Sequence, residues 1–391
     1  MSAQLDVRTD APASGAPEAA GRRPLISALT GLRAVAAGWV VLFHYRSDVL
    51  ALAPSLRPLH PLMDAGYLGV DVFFALSGFV LAYTYAESMG RWDARATRGF
   101  VRNRLARVWP VHAVTLHLDL LQAAVIGTLG VTAGGHRRTP SAYVENLTMT
   151  HAWWNDRPSF NAPAWSISAE WAAYLAAPVL FIALARLRRR AVDAALLAAG
   201  LYAVMLTIFA LWALPNGNVP HAGMLRVATE FGAGLLMWRV YHARPHWLGR
   251  LTLPLVAALT LVVLLVPASR HGYWLAPALG LLVLCLALDV GPLARVLASR
   301  PFVFWGEASY SLYLTHVLLA PSLHALLPVH LFDSAGWPQR ALVLATYAGL
   351  LALAAVAMHR WVEVPARRLL RARRPASAPS RTPANSQDFV A

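Results

Sequence analysis

The sequence contains no lysine: all 34 of its basic side chains are arginine, a bias that fits GC-rich coding better than chemistry. Charge of either sign is scarce, at 14% of 391 residues, where a soluble domain carries about a quarter. The single cysteine, Cys285, lies in an apolar run and excludes an intramolecular disulfide and any cysteine-rich metal site. The histidines are scattered, without HExxH or paired-carboxylate spacing, so no metal centre is expected. A phosphate-cradling glycine loop is missing, which argues against nucleotide hydrolysis. Residues 1–21 are polar and have no apolar core, so no cleavable signal peptide is expected there.

What abounds is apolar surface. Hydrophobic residues make up 58% of the chain, a surplus that needs lipid as its solvent. Ten stretches approach the length of about 20 mostly apolar residues that a spanning helix requires: 28–45, 66–86, 106–131, 164–185, 191–214, 222–241, 251–267, 272–289, 302–327 and 341–361. The expected fold is an all-α polytopic membrane protein, with about ten transmembrane helices around a polar interior. A membrane domain over 25–370 lies between disordered tails at 1–24 and 371–391, both rich in small and polar residues.

The arginines give the orientation. With the N-terminus inside, 25 fall in inner segments and tails and 7 in outer loops, and Arg33 and Arg226 lie within spans. That asymmetry predicts a multi-pass protein of the cell (cytoplasmic) membrane with both termini cytoplasmic. It also accounts for the net charge of +15 without nucleic acid. One outer segment is long, 132–163, and contains Trp153 and Trp154. Two readings stand for it: an interfacial aromatic belt, or a lid over a site open to the outer side.

Ionisable residues inside spans are costly and usually face a partner or a cavity. Arg33, His44, Asp71, His112, His117, Asp119, Glu170, Arg226, Glu230 and His316 are such residues. Arg33 and His44 are eleven positions apart, about 20° from whole turns, so they share a helix face. Their separation of ~16 Å along the axis is about the reach of a phosphopantetheine arm. A cation near the inner end would hold a phosphate while the histidine meets a thioester.

Six stretches occur in order: LTGLRAVAAGWVVLFHYR, GYLGVDVFFALSGFVLAY, RNRLARVWP, NAPAWSISAEWAAYLAAP, SYSLYLTH and HRWVEVPARRLL. The series resembles the membrane-bound acyltransferase-3 family, whose members O-acylate surface polysaccharides, lipopolysaccharide, Nod factors and macrolides. The resemblance covers about residues 25–370. It implies that the family's Arg-x10-His pair falls on Arg33 and His44, and its arginine pair before a proline on Arg104 and Arg107 with Pro110. Its Trp-Ser-x-Ser-x-Glu motif falls on Trp165, Ser166, Ser168 and Glu170. His112 departs from the family pattern, which often has an aromatic residue there. It is not counted in the site.

Moving an acyl group from a thioester to a hydroxyl needs a base, donors for the oxyanion and an aligned donor substrate. His44 is the natural base, and Glu170 would orient it. A covalent acyl-histidine is the other route. Arg104 and Arg107, three apart, suit the phosphates of coenzyme A. Ser309, Tyr313 and His316 form one polar strip on a helix, either lining a substrate channel or bonding between helices. Asp71 carries the same two readings, while Glu363 and Pro365 are expected to cap the last span. The expected substrates are acyl-CoA, most simply acetyl-CoA, and a hydroxyl acceptor containing carbohydrate, with no permanently bound cofactor. A transporter or flippase with a polar interior is the rival class, though it commonly shows internal repeats or broken helices, which are not visible here.

Overall fold

A computed structural model of the chain describes residues 26–128, 138–155, 158–187, 190–212, 220–266 and 272–370. The expected tails, and Arg137, Arg157 and Arg270 of the outer loops, lie outside the described residues. Among the described residues the chain is helical, with no strand. Ten principal helices follow in order: α1 (Ser27–Leu52), α2 (Gly69–Tyr85), α3 (Ala94–Thr128), α4 (Trp165–Arg186), α5 (Ala191–Trp212), α6 (Pro220–His242), α7 (Thr252–Leu265), α8 (Ala276–Leu288), α9 (Arg300–Leu326) and α10 (Trp337–Met358). Each of the ten expected spans falls on one of them.

Among the described residues, six segments are long and apolar enough to cross a membrane: Ser27–Leu52, Pro54–Tyr85, Ala162–Arg186, Ala191–Leu211, His246–Leu265 and Trp337–Leu370. The expected first span, with Arg33 and His44, is among them as one unbroken helix. The segment holding α8, Gly272–Leu288, is apolar but shorter. The remaining three, α3, α6 and α9, have 35, 23 and 27 residues. At 1.5 Å per residue even the 23-residue helix extends ~35 Å, beyond the ~30 Å of a hydrocarbon core. Their low apolarity reflects what they carry: arginines along the first half of α3, Arg226 and Glu230 on α6, and the strip Ser309–His316 on α9.

Side-chain pairings give the helix directions. On α1 and α9, Arg33 meets Ser309, His44 meets His316 and Asp48 meets His324, so the two run parallel. On α2 and α6, Asp71 meets Arg226 and Phe79 meets Tyr241, again parallel. On α3 and α4, Phe100 meets Phe181 and Arg104 meets Tyr174, so these are antiparallel.

Close approach is built in by small residues. A Cβ on Gly306 would sit 1.9 Å from the Thr30 carbonyl oxygen, so only glycine lets α9 touch α1 there. Gly78 and Gly234 do the same for α2 and α6, each 2.1 Å from a facing carbonyl oxygen. The Gly306 approach brings Arg33 and His44 against the polar strip of α9.

The described part of the segment 132–163 is bonded to α4 and α9. Ser168 Oγ on α4 donates to the Met149 carbonyl (2.9 Å) and accepts from the Ala152 N–H (3.0 Å). Trp153 Nε1 donates to the Ser168 carbonyl (3.0 Å), and Asn161 Nδ2 donates to the Leu314 carbonyl on α9 (2.7 Å). Trp154 stays exposed.

Candidate active site

A cavity of about 770 Å³, mouth included, lies between α1, α2, α3, α4 and α9. Its walls are largely apolar, including Val70, Phe73 and Phe74 of α2. Into it converge Arg33, Arg104, Arg107, Glu170, Ser309 and Tyr313. Five separate expectations from sequence, spread over 281 positions from Arg33 to Tyr313, thus meet in one space along with Ser309.

Arg33 donates from Nε and Nη2 to Ser309 Oγ (3.3 and 3.2 Å), and that hydroxyl donates to the Gly306 carbonyl (2.8 Å). Ser309 and Tyr313 of the α9 strip both bond to neighbouring helices and line the cavity, whereas His316 is not part of its lining. Arg104 sits among the rings of Tyr85, Phe100 and Tyr174, its guanidinium carbon 5.7–5.9 Å from each centroid. Its Nε is buried and has no hydrogen-bond partner among the described residues. Arg107 lies 5.7 Å from the Tyr310 ring and donates to Glu363.

At the other end of α1 stands a histidine pair. His316 Nε2 is 3.2 Å from His44 Nδ1, and the rings meet edge to face. Elementary bonding rules assign the protons. His316 Nδ1 lies 2.6 Å from the Tyr313 carbonyl oxygen, and His44 Nδ1 lies 2.9 Å from the Val40 carbonyl oxygen. Carbonyls only accept, so both Nδ1 atoms carry hydrogen in the neutral rings. His316 Nε2 is then an acceptor for His44 Nδ1–H, and His44 Nε2 is left with a free lone pair. His316 is fully buried, whereas His44 is exposed.

Several expected site residues take other places. Glu170 does not orient His44: it accepts from Tyr174 (2.5 Å) inside the cavity, and His44 is held by Val40 and His316 instead. Asp71 is turned away from the cavity and receives Arg226 at both oxygens (3.1 and 2.6 Å). Trp165 packs against Phe74 and under the Arg226 guanidinium, outside the cavity lining. Ser168 is fully buried, its hydroxyl engaged with the outer segment. Glu363 is no exposed cap: it is 1% exposed and accepts from Arg107, Ser311, His359 and Arg367.

Sequence reading missed Tyr174 and Ser77, which lie together on the cavity wall (3.4 Å). The i, i+4 spacing of Glu170 and Tyr174 was the available signal. His112 bonds to the Asn146 carbonyl (2.7 Å) and stacks on His151, under the outer segment. Among the described residues no group of three or more His, Cys, Asp or Glu is placed to hold a metal ion.

The sequence model of the acyltransferase-3 family, described as an acyltransferase domain, matches residues 26–359. Acyltransferase MdmB from Streptomyces mycarofaciens is 29% identical, over 90% of this chain and 95% of the relative. A Rhizobium radiobacter protein named for its place in the picA locus is 36% identical over 26% of this chain and 48% of its own. A Staphylococcus aureus (strain COL) chain, provisionally named an O-acetyltransferase, is 21% identical over 77% of this chain. The match covers 51% of that relative. No solved structure matches. With a family match over most of its length, and a site that joins cations to a histidine pair across one helix, the chain belongs to the acyltransferase-3 family and is an acyltransferase.

Proposed function

We propose that the chain transfers an acetyl group from cytoplasmic acetyl-CoA to a hydroxyl of a sugar-containing acceptor, such as a surface glycan or a glycosylated macrolide. The observation that carries this reading is the division of α1: a cation-lined cavity around Arg33, and a histidine with a free lone pair eleven residues away. On an unbroken helix that separation is ~16 Å, the reach of a phosphopantetheine arm. Arg33, Arg104 and Arg107 hold the donor's phosphates, as their planar forks suit. The acceptor oxygen attacks the thioester carbonyl while His44 Nε2 takes its proton. The tetrahedral adduct collapses, the C–S bond breaks, and the thiolate recovers a proton from His44. His316 acts as the positioning residue that holds the His44 ring. The acceptor class rests on the family resemblance, and acetyl on the name of the staphylococcal relative.

Labelled acetyl-CoA and the purified protein test the donor. Arg104→Ala removes a guanidinium that has a buried, unpartnered Nε at the cavity wall. Losing one charge-assisted hydrogen bond of about 1.5–3 kcal/mol raises the KM for acetyl-CoA roughly 10- to 100-fold. The KM for the acceptor stays within about two-fold on the same basis. An unchanged acetyl-CoA KM would remove Arg104 from the donor site.

The same reading places ten spans in the cell membrane with both termini cytoplasmic and the membrane domain over 25–370. The parallel pairs α1 with α9 and α2 with α6, and the antiparallel pair α3 with α4, are what strict alternation of ten helices requires. Reporter fusions at residue 150 should read as outer and at residue 190 as cytoplasmic. The opposite result at either position overturns the ten-span arrangement.

A further inference from the structure

The stretch HRWVEVPARRLL plays no part in the chemistry above, yet it carries the most crowded carboxylate among the described residues. Its first five residues, His359–Glu363, form a π-helical turn at the end of α10, a geometry frequent at functional sites. The turn points both His359 and Glu363 inward, each nearly solvent-free. One oxygen of Glu363 accepts from Arg107 and from Arg367 Nη1 (3.4 Å). The other accepts from Ser311 Oγ (2.7 Å) and lies 3.0 Å from His359 Nδ1. The short helix Val364–Leu370, which carries Arg367, is tied back to α3 by Arg102 Nε, donating to the Leu370 carbonyl (2.7 Å).

These bonds fix where two guanidiniums point. Arg107 lines the cavity and contacts Glu363 through a single nitrogen. Arg367 is partly exposed, with a side-chain exposure of 30%, and lies within electrostatic reach of Arg33 and Arg104. Arg33, Arg104 and Arg107 thus line the cavity, Arg367 lies behind them on the far side of Glu363, and three carboxylates, Glu170, Glu307 and Glu363, stand near the four guanidiniums. Repulsion among them is relieved only in part by these acids. The surplus positive charge matches a multiply charged phosphate.

We propose that Glu363 is a positioning residue of the donor site, aiming Arg107 and Arg367, and that Arg367 is a further phosphate-binding residue. This rests on the reading of the cavity as the acyl-CoA site. The bland rival is a clamp that only joins α3, α9 and α10.

Two donors separate the readings: acetyl-CoA, and S-acetyl-pantetheine, which has the thioester and the arm but no phosphate. In the full-length protein, kcat/KM is measured for both with one acceptor. The wild type should prefer acetyl-CoA. Arg367→Ala should lower the acetyl-CoA to acetyl-pantetheine ratio about 10-fold through KM, as expected for one lost charge-assisted bond. Glu363→Gln should lower the ratio in the same direction, and Glu363→Asp should recover part of it. If Glu363→Gln does not fold, Arg367→Ala, at a partly exposed site, decides the matter alone. Equal losses on both donors in either variant would overturn the proposal and leave a structural clamp. A wild type indifferent between the donors would instead overturn the phosphate dock itself, Arg104 included.

Discussion

Replacing His44 by glutamine will lower turnover at saturating acetyl-CoA by about 10²–10⁴-fold, the usual cost of removing a general base. Glutamine keeps the length of the side chain. Its amide N–H can serve the Val40 carbonyl or His316 Nε2, the two partners of His44 Nδ1. What it lacks is the lone pair of Nε2 on a group that can accept a proton near neutral pH. Because His44 is exposed, the exchange opens no buried cavity, so the protein should insert and bind acetyl-CoA as before. His316→Asn should cost less, because the base remains and only its ring support is lost. The free Nε2 also suits attack on the thioester, so rapid acid quench of the wild type with labelled acetyl-CoA tests for an acyl-histidine. Near-normal turnover of His44→Gln would dismiss His44 as base and as nucleophile alike, and would move attention to His316.

How far the sequence reveals this site follows from the range of each interaction. Arg33 and His44 share a helix, so their common face could be computed from 100° per residue, and the unbroken α1 keeps them in that relation. The strip Ser309, Tyr313 and His316 was legible for the same reason, since α9 is continuous through it. Pairings across the bundle leave no local trace. His44 with His316, Asp71 with Arg226, and Arg107 with Glu363 join residues 272, 155 and 256 positions apart. Glu170 was therefore given to the nearest plausible partner in the chemistry, the base, whereas packing gives it to Tyr174 on its own helix. Glu363 looked like a cap because it follows a long apolar run. The π-helical turn changes the register of that helix end and carries the acid inward. Span counting by apolarity runs into the same limit. The helices α3, α6 and α9 do not stand out as apolar because they carry charged and polar side chains that pair across the bundle, such as Arg107 with Glu363, Arg226 with Asp71 and Ser311 with Glu363, pairings that composition alone does not contain.

Truncating Asp71 to alanine will destabilise the folded protein by about 3–5 kcal/mol, the range for breaking a buried ion pair from one side. Asp71 and Arg226 have side-chain exposures of 1% and 4%, and the contact is bidentate. Arginine does not shed its proton, so the variant must keep a cation in the bundle interior without its partner. The Trp165 ring, 5.5 Å from that guanidinium, offers a cation–π contact of about 2 kcal/mol, already present in the wild type and so no replacement for the carboxylate. Glu230 is fully buried one helical turn along from Arg226 and lies in the field of both charges, so it can take over part of the pairing. Two further variants separate these contributions. Asp71→Leu with Arg226→Met removes both charges at similar volume and should recover most of the lost stability. Asp71→Ala with Glu230→Gln should be worse than Asp71→Ala alone, by whatever Glu230 contributes. The measurement is the midpoint of unfolding of the purified protein in detergent, read alongside turnover. Wild-type stability in Asp71→Ala would show that the pair does not hold α2 to α6. Wild-type stability with lost turnover in the charge-free double variant would favour the channel-lining reading of Asp71 over the interhelical one.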